Sequence, residues 1–195
     1  MLTLCLDTAY KYLSVSLLED DRILAAYDEI CPKRQSEEIF QVLDKILQEG
    51  HKEILAIDSL CISCGPGSYT GVRIAMTLAK TIASLKELDL YTISTLRLYA
   101  ANEKDTMVLM DARAKRAYVG IYDEGKCLLS DRVLPLEEID PADHRLVGDA
   151  SLFGKEECMP KISEAFLRTR AYWQKVDNVD HLVPVYLKED KDCVK

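Results

Sequence analysis

Leu4-Cys5-Leu6-Asp7-Thr8-Ala9 opens this chain, and Val108-Leu109-Met110-Asp111-Ala112-Arg113 repeats its pattern in the second half. In both, an apolar run of strand length ends on an aspartate and an alternating hairpin follows. From the first copy, the strand at residues 2–6 leads to a second at 12–18, the acidic turn Glu19-Asp20-Asp21, and a third at 23–30. From the second copy, residues 107–110 lead to 118–122, the turn Asp123-Glu124-Gly125, and 127–134. Links this short join antiparallel neighbours, so each half begins with a meander.

Two matching meanders predict a duplicated ribonuclease-H-like unit. The expectation is an α/β protein of two subdomains, 1–102 and 103–195, each with a mixed sheet flanked by helices. Between the meanders the period changes. In residues 36–49, Ile39, Phe40, Leu43, Ile46 and Leu47 fall on one helical face, with Glu37 and Glu38 at the positive end of the helix dipole. A strand at 59–63 runs into Gly65-Pro66-Gly67-Ser68-Tyr69-Thr70-Gly71, then a helix at 70–85, a strand at 90–93 and a short helix at 95–101. Beyond residue 146 the pattern weakens to helical stretches at 150–158 and 160–169. These lead to Val183-Pro184-Val185-Tyr186-Leu187-Lys188.

Composition narrows the function classes. The chain has 195 residues, 48% of them hydrophobic and 30% charged, with a net charge of −8. Nucleic-acid binding draws its affinity from neutralising phosphates, and no basic stripe dominates here, so independent RNA binding is disfavoured. The apolar runs have strand length, and the first follows the N-terminus with no basic flank or cleavage site, so no membrane span or leader is expected. Seven cysteines, an odd number, read as reduced thiols in the cytoplasm. Cys61-Ile-Ser-Cys64 has C-x-x-C spacing, but it lies on a strand, where positions three apart face opposite ways.

The glycine-rich turn and its helix hold the most information. Gly65, Pro66 and Gly67 suit a tight strand-to-helix turn, and Ser68 or Thr70 can cap the helix. Free N–H groups at such a helix start can hold phosphate, yet no lysine follows as in a P-loop, and the plain structural turn is favoured. Along the helix, Gly71, Ala75, Ala79 and Ala83 form a ridge of small side chains, and Ile74, Leu78, Ile82 and Leu85 form a large apolar stripe beside it. Together they cover roughly 200° of arc, more than one buried face requires. A second partner surface is therefore expected, with the small ridge letting another helix approach; a helix sandwiched wholly within its own domain is the competing reading.

The run from Gly65 to Ile74, Gly-Pro-Gly-Ser-Tyr-Thr-Gly-Val-Arg-Ile, resembles the corresponding segment of the TsaB family, also called YeaZ-like. Leu6-Asp7-Thr8, Ser36-Glu37, Ala79-Lys80, Asp111-Ala112-Arg113, Tyr118-Val119 and the tail from Pro184 to Lys188 match in order. Gln35 stands where that family often has histidine. The resemblance implies an actin/Hsp70-like (ASKHA) fold. It also implies a non-catalytic scaffold in the transfer of a threonylcarbamoyl group to the adenosine beside the tRNA anticodon. Its implied partners are a TsaD-like catalytic subunit and a TsaE-like ATPase, or a second copy of itself, with tRNA reached only through the assembly. The implied docking surface lies on the first two helices, around Ile39, Phe40, Leu43, Gly71, Ala75, Ala79 and Ala83. The glycine loop Gly65–Gly71 with Arg73 is its signature. No cofactor is implied for the chain alone, although a nucleotide at the partner interface is compatible.

The residues agree with a passive role. His51, His144 and His181 are isolated in sequence and supply no paired metal ligands. No glycine-rich phosphate turn follows Asp111. Asp7 and Asp111 resemble the start of a metal-binding carboxylate set, but the further acids such a nuclease needs do not stand at strand ends. Asp7, Thr8, Asp111 and Arg113 are the candidate contacts to a nucleotide or to tRNA. For the basic run Arg113, Lys115 and Arg116, a solvated hairpin is the favoured alternative. The enzyme alternatives are a small ATP-dependent phosphotransferase and a metallopeptidase-like member of the same superfamily. For the cysteines, thiol titration under denaturing conditions is expected to find all seven reduced, with no bound zinc; stoichiometric zinc or a protected disulfide would overturn this.

Overall fold

The computed structural model describes residues 1–31, 33–141 and 143–187; Lys188 and Cys193 lie outside them. The first meander is β1 (Leu2–Asp7), β2 (Tyr12–Glu19) and β3 (Arg22–Ile30), paired antiparallel. α1 (Gln35–Glu49) leads to β4 (Ser59–Ser63), and α2 (Tyr69–Lys86) to β5 (Asp89–Ile93). β4 pairs parallel with β1 and β5 pairs parallel with β4. After α3 (Thr95–Ala100) the pattern restarts with β6 (Thr106–Arg113), β7 (Arg116–Asp123), β8 (Lys126–Pro135) and β9 (Arg145–Gly148). The second sheet runs β8-β7-β6-β9, the same third-second-first-fourth order as β3-β2-β1-β4 in the first. The duplicated α/β fold is therefore present, with two mixed sheets.

Strand alternation stacks these sheets into layers. Leu2, Leu4 and Leu6 of β1 join α1 and α2 in one core, while Cys5 faces a second core with α3 and α4. Val108 and Met110 of β6 enter that same second core from the other sheet, and Met107 and Leu109 face a third core on its far side. The C-x-x-C pair splits as its spacing requires: Cys61 lies in the second core and Cys64 packs against the first. Burial pushes the Cys61 thiol well above its ordinary pKa and Cys64 up to about 11, so neither is poised as a thiolate.

Three expectations are corrected. The helix anticipated at 150–158 is a 3-10 turn, Ala150–Phe153, ended by Gly154 at φ 69°, after which Cys158 bridges back to Gly148. Residues 103–195 do not all belong to the second unit. α4 (Ile162–Arg168) packs on β2 and β3, and β10 (Gln174–Lys175) pairs antiparallel with β5 at the edge of the first sheet. The third correction concerns α2. Gly71, Ala75, Ala79 and Ala83, expected to face a partner, are buried in the chain's own first core, Ala75 and Ala79 completely. The small ridge lets α2 approach its own sheet. A Cβ at Gly71 would collide with the Thr8 carbonyl.

The end of β1 anchors that contact. Thr8 Oγ1 donates to the Gly71 carbonyl at 2.7 Å and accepts from Ala75 N at 3.0 Å. Beside it, Asp7 is fully buried; its carboxylate accepts from Ser63 Oγ, from Ala9 N at 3.0 Å and from Tyr99 Oη at 3.0 Å. Desolvation raises its pKa even though these donors oppose the shift.

Two expected outcomes follow from this packing. Ala79→Leu should destabilise the fold by about 1–3 kcal/mol, the usual range for overpacking, in urea unfolding; unchanged stability would place the ridge outside the core. Because the folded-state pKa of Asp7 lies above its unfolded value of about 3.9, its contribution is fullest below that value and is lost as pH rises through the folded pKa. Asp7→Asn retains an acceptor and a neutral charge, so wild type should lose stability relative to it as pH rises from acid to neutral. A stability difference independent of pH would contradict this.

Candidate functional site

The glycine loop is built to join elements. Gly65 sits at φ 106°, a left-handed conformation that a side chain would strain. Its N–H donates to Thr95 Oγ1 at 3.1 Å and its carbonyl accepts from Thr95 N at 2.9 Å, tying the loop to α3. Ser68 N donates to the Ala9 carbonyl at 2.7 Å, and Ser68 Oγ caps α2 by accepting from Gly71 N at 3.2 Å. These three amides are committed internally, which supports the structural-turn reading over a phosphate cradle. Pro66 is buried, whereas Ser68, Tyr69 and Thr70 face solvent.

With the small ridge turned inward, the large stripe of α2 faces outward in part. Ile74 and Leu78 are half-buried, Ile82 is buried, and Leu85 is exposed. Ile74 and Leu78 meet α1 across a groove of ≈ 440 Å³ whose walls include Phe40, Tyr69, Arg73 and Thr77. Of the three α1 residues expected to dock a partner, Ile39 and Leu43 are core residues, and Phe40 is 61% exposed at the groove. The second apolar surface of α2 therefore exists, but its residues are Ile74 and Leu78 rather than the alanines. Phe40, Ile74 and Leu78 thus leave an apolar strip only partly covered along the groove between α1 and α2.

A second concavity of ≈ 720 Å³ lies between the two units. Asp111 and Arg113 line it, with the Arg113 side chain 90% exposed. Asp7 and Thr8 do not, because both are fully buried, so the expectation that they touch a ligand is corrected. The cleft holds residues that the sequence pattern had not singled out. Lys11 Nζ lies 2.6 Å from Asp149 and 3.0 Å from Glu157, and the Tyr10 hydroxyl also donates to Asp149. Asp111 N donates to Asp149 Oδ2 at 2.7 Å. Burial raises the Asp149 pKa, with Glu157 adding to the shift and the Asp111 amide opposing it. The cleft is thus bridged by an internal ion-pair cluster. Among the described residues, no three His, Cys, Asp or Glu side chains gather as a metal site. The only sequence signal for Asp149 is its place after β9, matching Ser63 at the end of β4.

The sequence model of the family described as TsaD, tRNA N6-adenosine threonylcarbamoyltransferase, matches residues 14–141. A Bacillus subtilis protein named tRNA threonylcarbamoyladenosine biosynthesis protein TsaB is 32% identical over 147 residues, covering 73% of this chain and 64% of that protein. The Escherichia coli protein of the same name is 35% identical over 128 residues, covering 63% and 55%. The matched part of the chain thus spans somewhat over half the length of these curated relatives. A solved Pseudomonas aeruginosa structure described as YeaZ superposes with a TM-score of 0.79 at 25% identity, over 95% of this chain and 99% of that one. Another from that organism, described as an uncharacterized protein with similarity to peptidase YEAZ, gives 0.81 at 24% identity, over 96% and 99%. The fold of two mixed sheets agrees with these matches, and the chain belongs to the TsaB (YeaZ-like) family, sharing the family model of the tRNA N6-adenosine threonylcarbamoyltransferases.

Proposed function

We propose that this chain is a non-catalytic assembly subunit of the machinery that places threonylcarbamoyl on tRNA, and that it works by docking a TsaD-like catalytic subunit. The supporting observation is the groove between α1 and α2, with Phe40 exposed and Ile74 and Leu78 half-covered. Its relatives are named for threonylcarbamoyladenosine biosynthesis, and the family model it matches is that of the transferase, so chain and partner share a fold. A TsaE-like ATPase and a cytoplasmic setting complete the reading. No helix among the described residues is long and apolar enough to cross a membrane. Any nucleotide belongs at the partner interface, and tRNA is reached through the partner.

The chemistry of the described residues supports passivity. The inter-subdomain cleft is lined by Asp111, Asp149 and Glu157 as well as by Lys11, Lys33 and Arg113, and Lys11 is already held by two of these carboxylates. His144 rests on Asp105, just before β6, at 2.7 Å.

Titration against the TsaD-like subunit tests the reading. Phe40→Asp places a charge in the groove without touching the core, and binding should fall by more than about tenfold while circular dichroism stays unchanged. Unchanged affinity would move the docking surface elsewhere. The purified chain should also show no ATPase or peptidase turnover above an enzyme-free control, and turnover abolished by Asp111→Ala would overturn the passive role.

A further inference from the structure

The last described residues are held along α2 by several specific contacts. Beyond β10, residues 176–187 run without regular structure, and Val176, Val179 and Leu182 pack on the first core. Lys80 Nζ donates to the carbonyls of Asp180 at 2.9 Å and Leu182 at 3.2 Å. Val185 N donates to the Cys64 carbonyl at 2.8 Å, and the Val185 carbonyl lies 2.6 Å from where a Cβ on Gly65 would stand. The Cys64 carbonyl, just past β4, and Lys80 on α2 thus hold this strap at two points.

The strap delivers Tyr186 onto Tyr69. Their rings stack with centroids 5.3 Å apart and planes 20° from parallel. Arg73, one turn along α2, donates from Nη1 to the Tyr69 hydroxyl at 3.3 Å. The neighbouring Tyr186 side chain, ahead of Tyr69, holds the Arg73 pKa above its ordinary value. Tyr69 is 63% exposed and Tyr186 46%, and Arg73 faces solvent. Tyr69 and Arg73 also line the groove that ends at Phe40.

The hydrogen-bond inventory of these groups is one-sided. A guanidinium only donates, so in its contact with Tyr69 the phenolic oxygen accepts. The Tyr69 phenolic proton is then free to point outward, beside the guanidinium N–H groups that remain. Among the described residues no carboxylate pairs with Arg73. A preformed cluster of donors around one fixed positive charge complements a carboxylate, which accepts in fork geometry. Tyrosine and arginine are also the residues that most often concentrate binding energy at protein interfaces.

We propose that Tyr69, Arg73 and Tyr186 form a clasp for an aspartate or glutamate side chain of the partner subunit, with Lys80 as the positioning residue that holds the strap in place. The proposal rests on the docking reading above and names the chemistry at one end of that surface. It gives the tail a function in recognition.

The test is titration of the TsaD-like subunit at low and high salt, with the full chain and six variants. Arg73→Gln should weaken binding by about tenfold or more and flatten its salt dependence. Arg73→Lys should restore only part of it, because a point charge lacks the fork. Tyr186→Phe keeps the ring stack and removes only the hydroxyl, so its fold is not at risk; a loss of about threefold to tenfold is expected. Lys80→Met should give a similar loss, together with faster proteolytic cleavage within 176–187, and Lys80→Arg should rescue both. Phe40→Asp separates the two claims. If it abolishes binding while Arg73→Gln and Tyr186→Phe leave affinity and salt dependence unchanged, the docking surface stands and the clasp is overturned. If none of the three changes binding, the docking reading falls and the clasp with it.

Discussion

α2 lies so close to the end of β1 that residue 71 has no room for a side chain: a Cβ there would meet the Thr8 carbonyl. The Thr8 hydroxyl completes the contact by bonding the Gly71 carbonyl and the Ala75 amide. A helix held at this distance must present small residues to its sheet, and Ala75, Ala79 and Ala83 continue the seat that Gly71 begins. Once that arc is turned inward, the helix geometry leaves Ile74 and Leu78 beside α1 and Tyr69, Arg73 and Thr77 toward solvent. The outward face of α2 follows from how closely one helix sits on one strand.

The same duplication produces different results in the two halves. Asp7 and Asp111 each fold back to accept the amide two residues on, at 3.0 Å from Ala9 and 2.8 Å from Arg113. The turn is thus repeated, but its setting is not. Asp7 is sealed by Ser63 and Tyr99, and it serves to fix the junction of β1, β4 and α3. Asp111 opens on the cleft, where Asp149 takes the place that Ser63 has in the first unit. Lys11 and Tyr10 cross from the first unit to reach that carboxylate, so the two halves are bridged by side chains of the chain itself.

Strand and helix positions were legible because burial imposes a period. The apolar run at 59–63 coincides with the strand that forms, and the helical periods begin within a residue of the starts of α1 and α2. Where burial is slight, the signal disappears. β10 is two residues of polar edge strand, placed by backbone pairing with β5, and no side-chain period marks it. The 3-10 turn after β9 ends at Gly154, before the apolar residues of 150–158 can continue as a helix.

The sequence by itself determined the duplicated α/β fold, the structural character of the glycine loop, and the presence on α2 of more apolar surface than one face can bury. Composition and periodicity record these because each depends on neighbours along the chain. Only the tertiary structure decided which arc of α2 faces the sheet, since an alanine ridge suits a close helix and a close sheet equally well. It also decided that Asp7 and Thr8 are internal, and that Tyr186 returns to stack on Tyr69. These are contacts between residues far apart in sequence, and no local pattern encodes them.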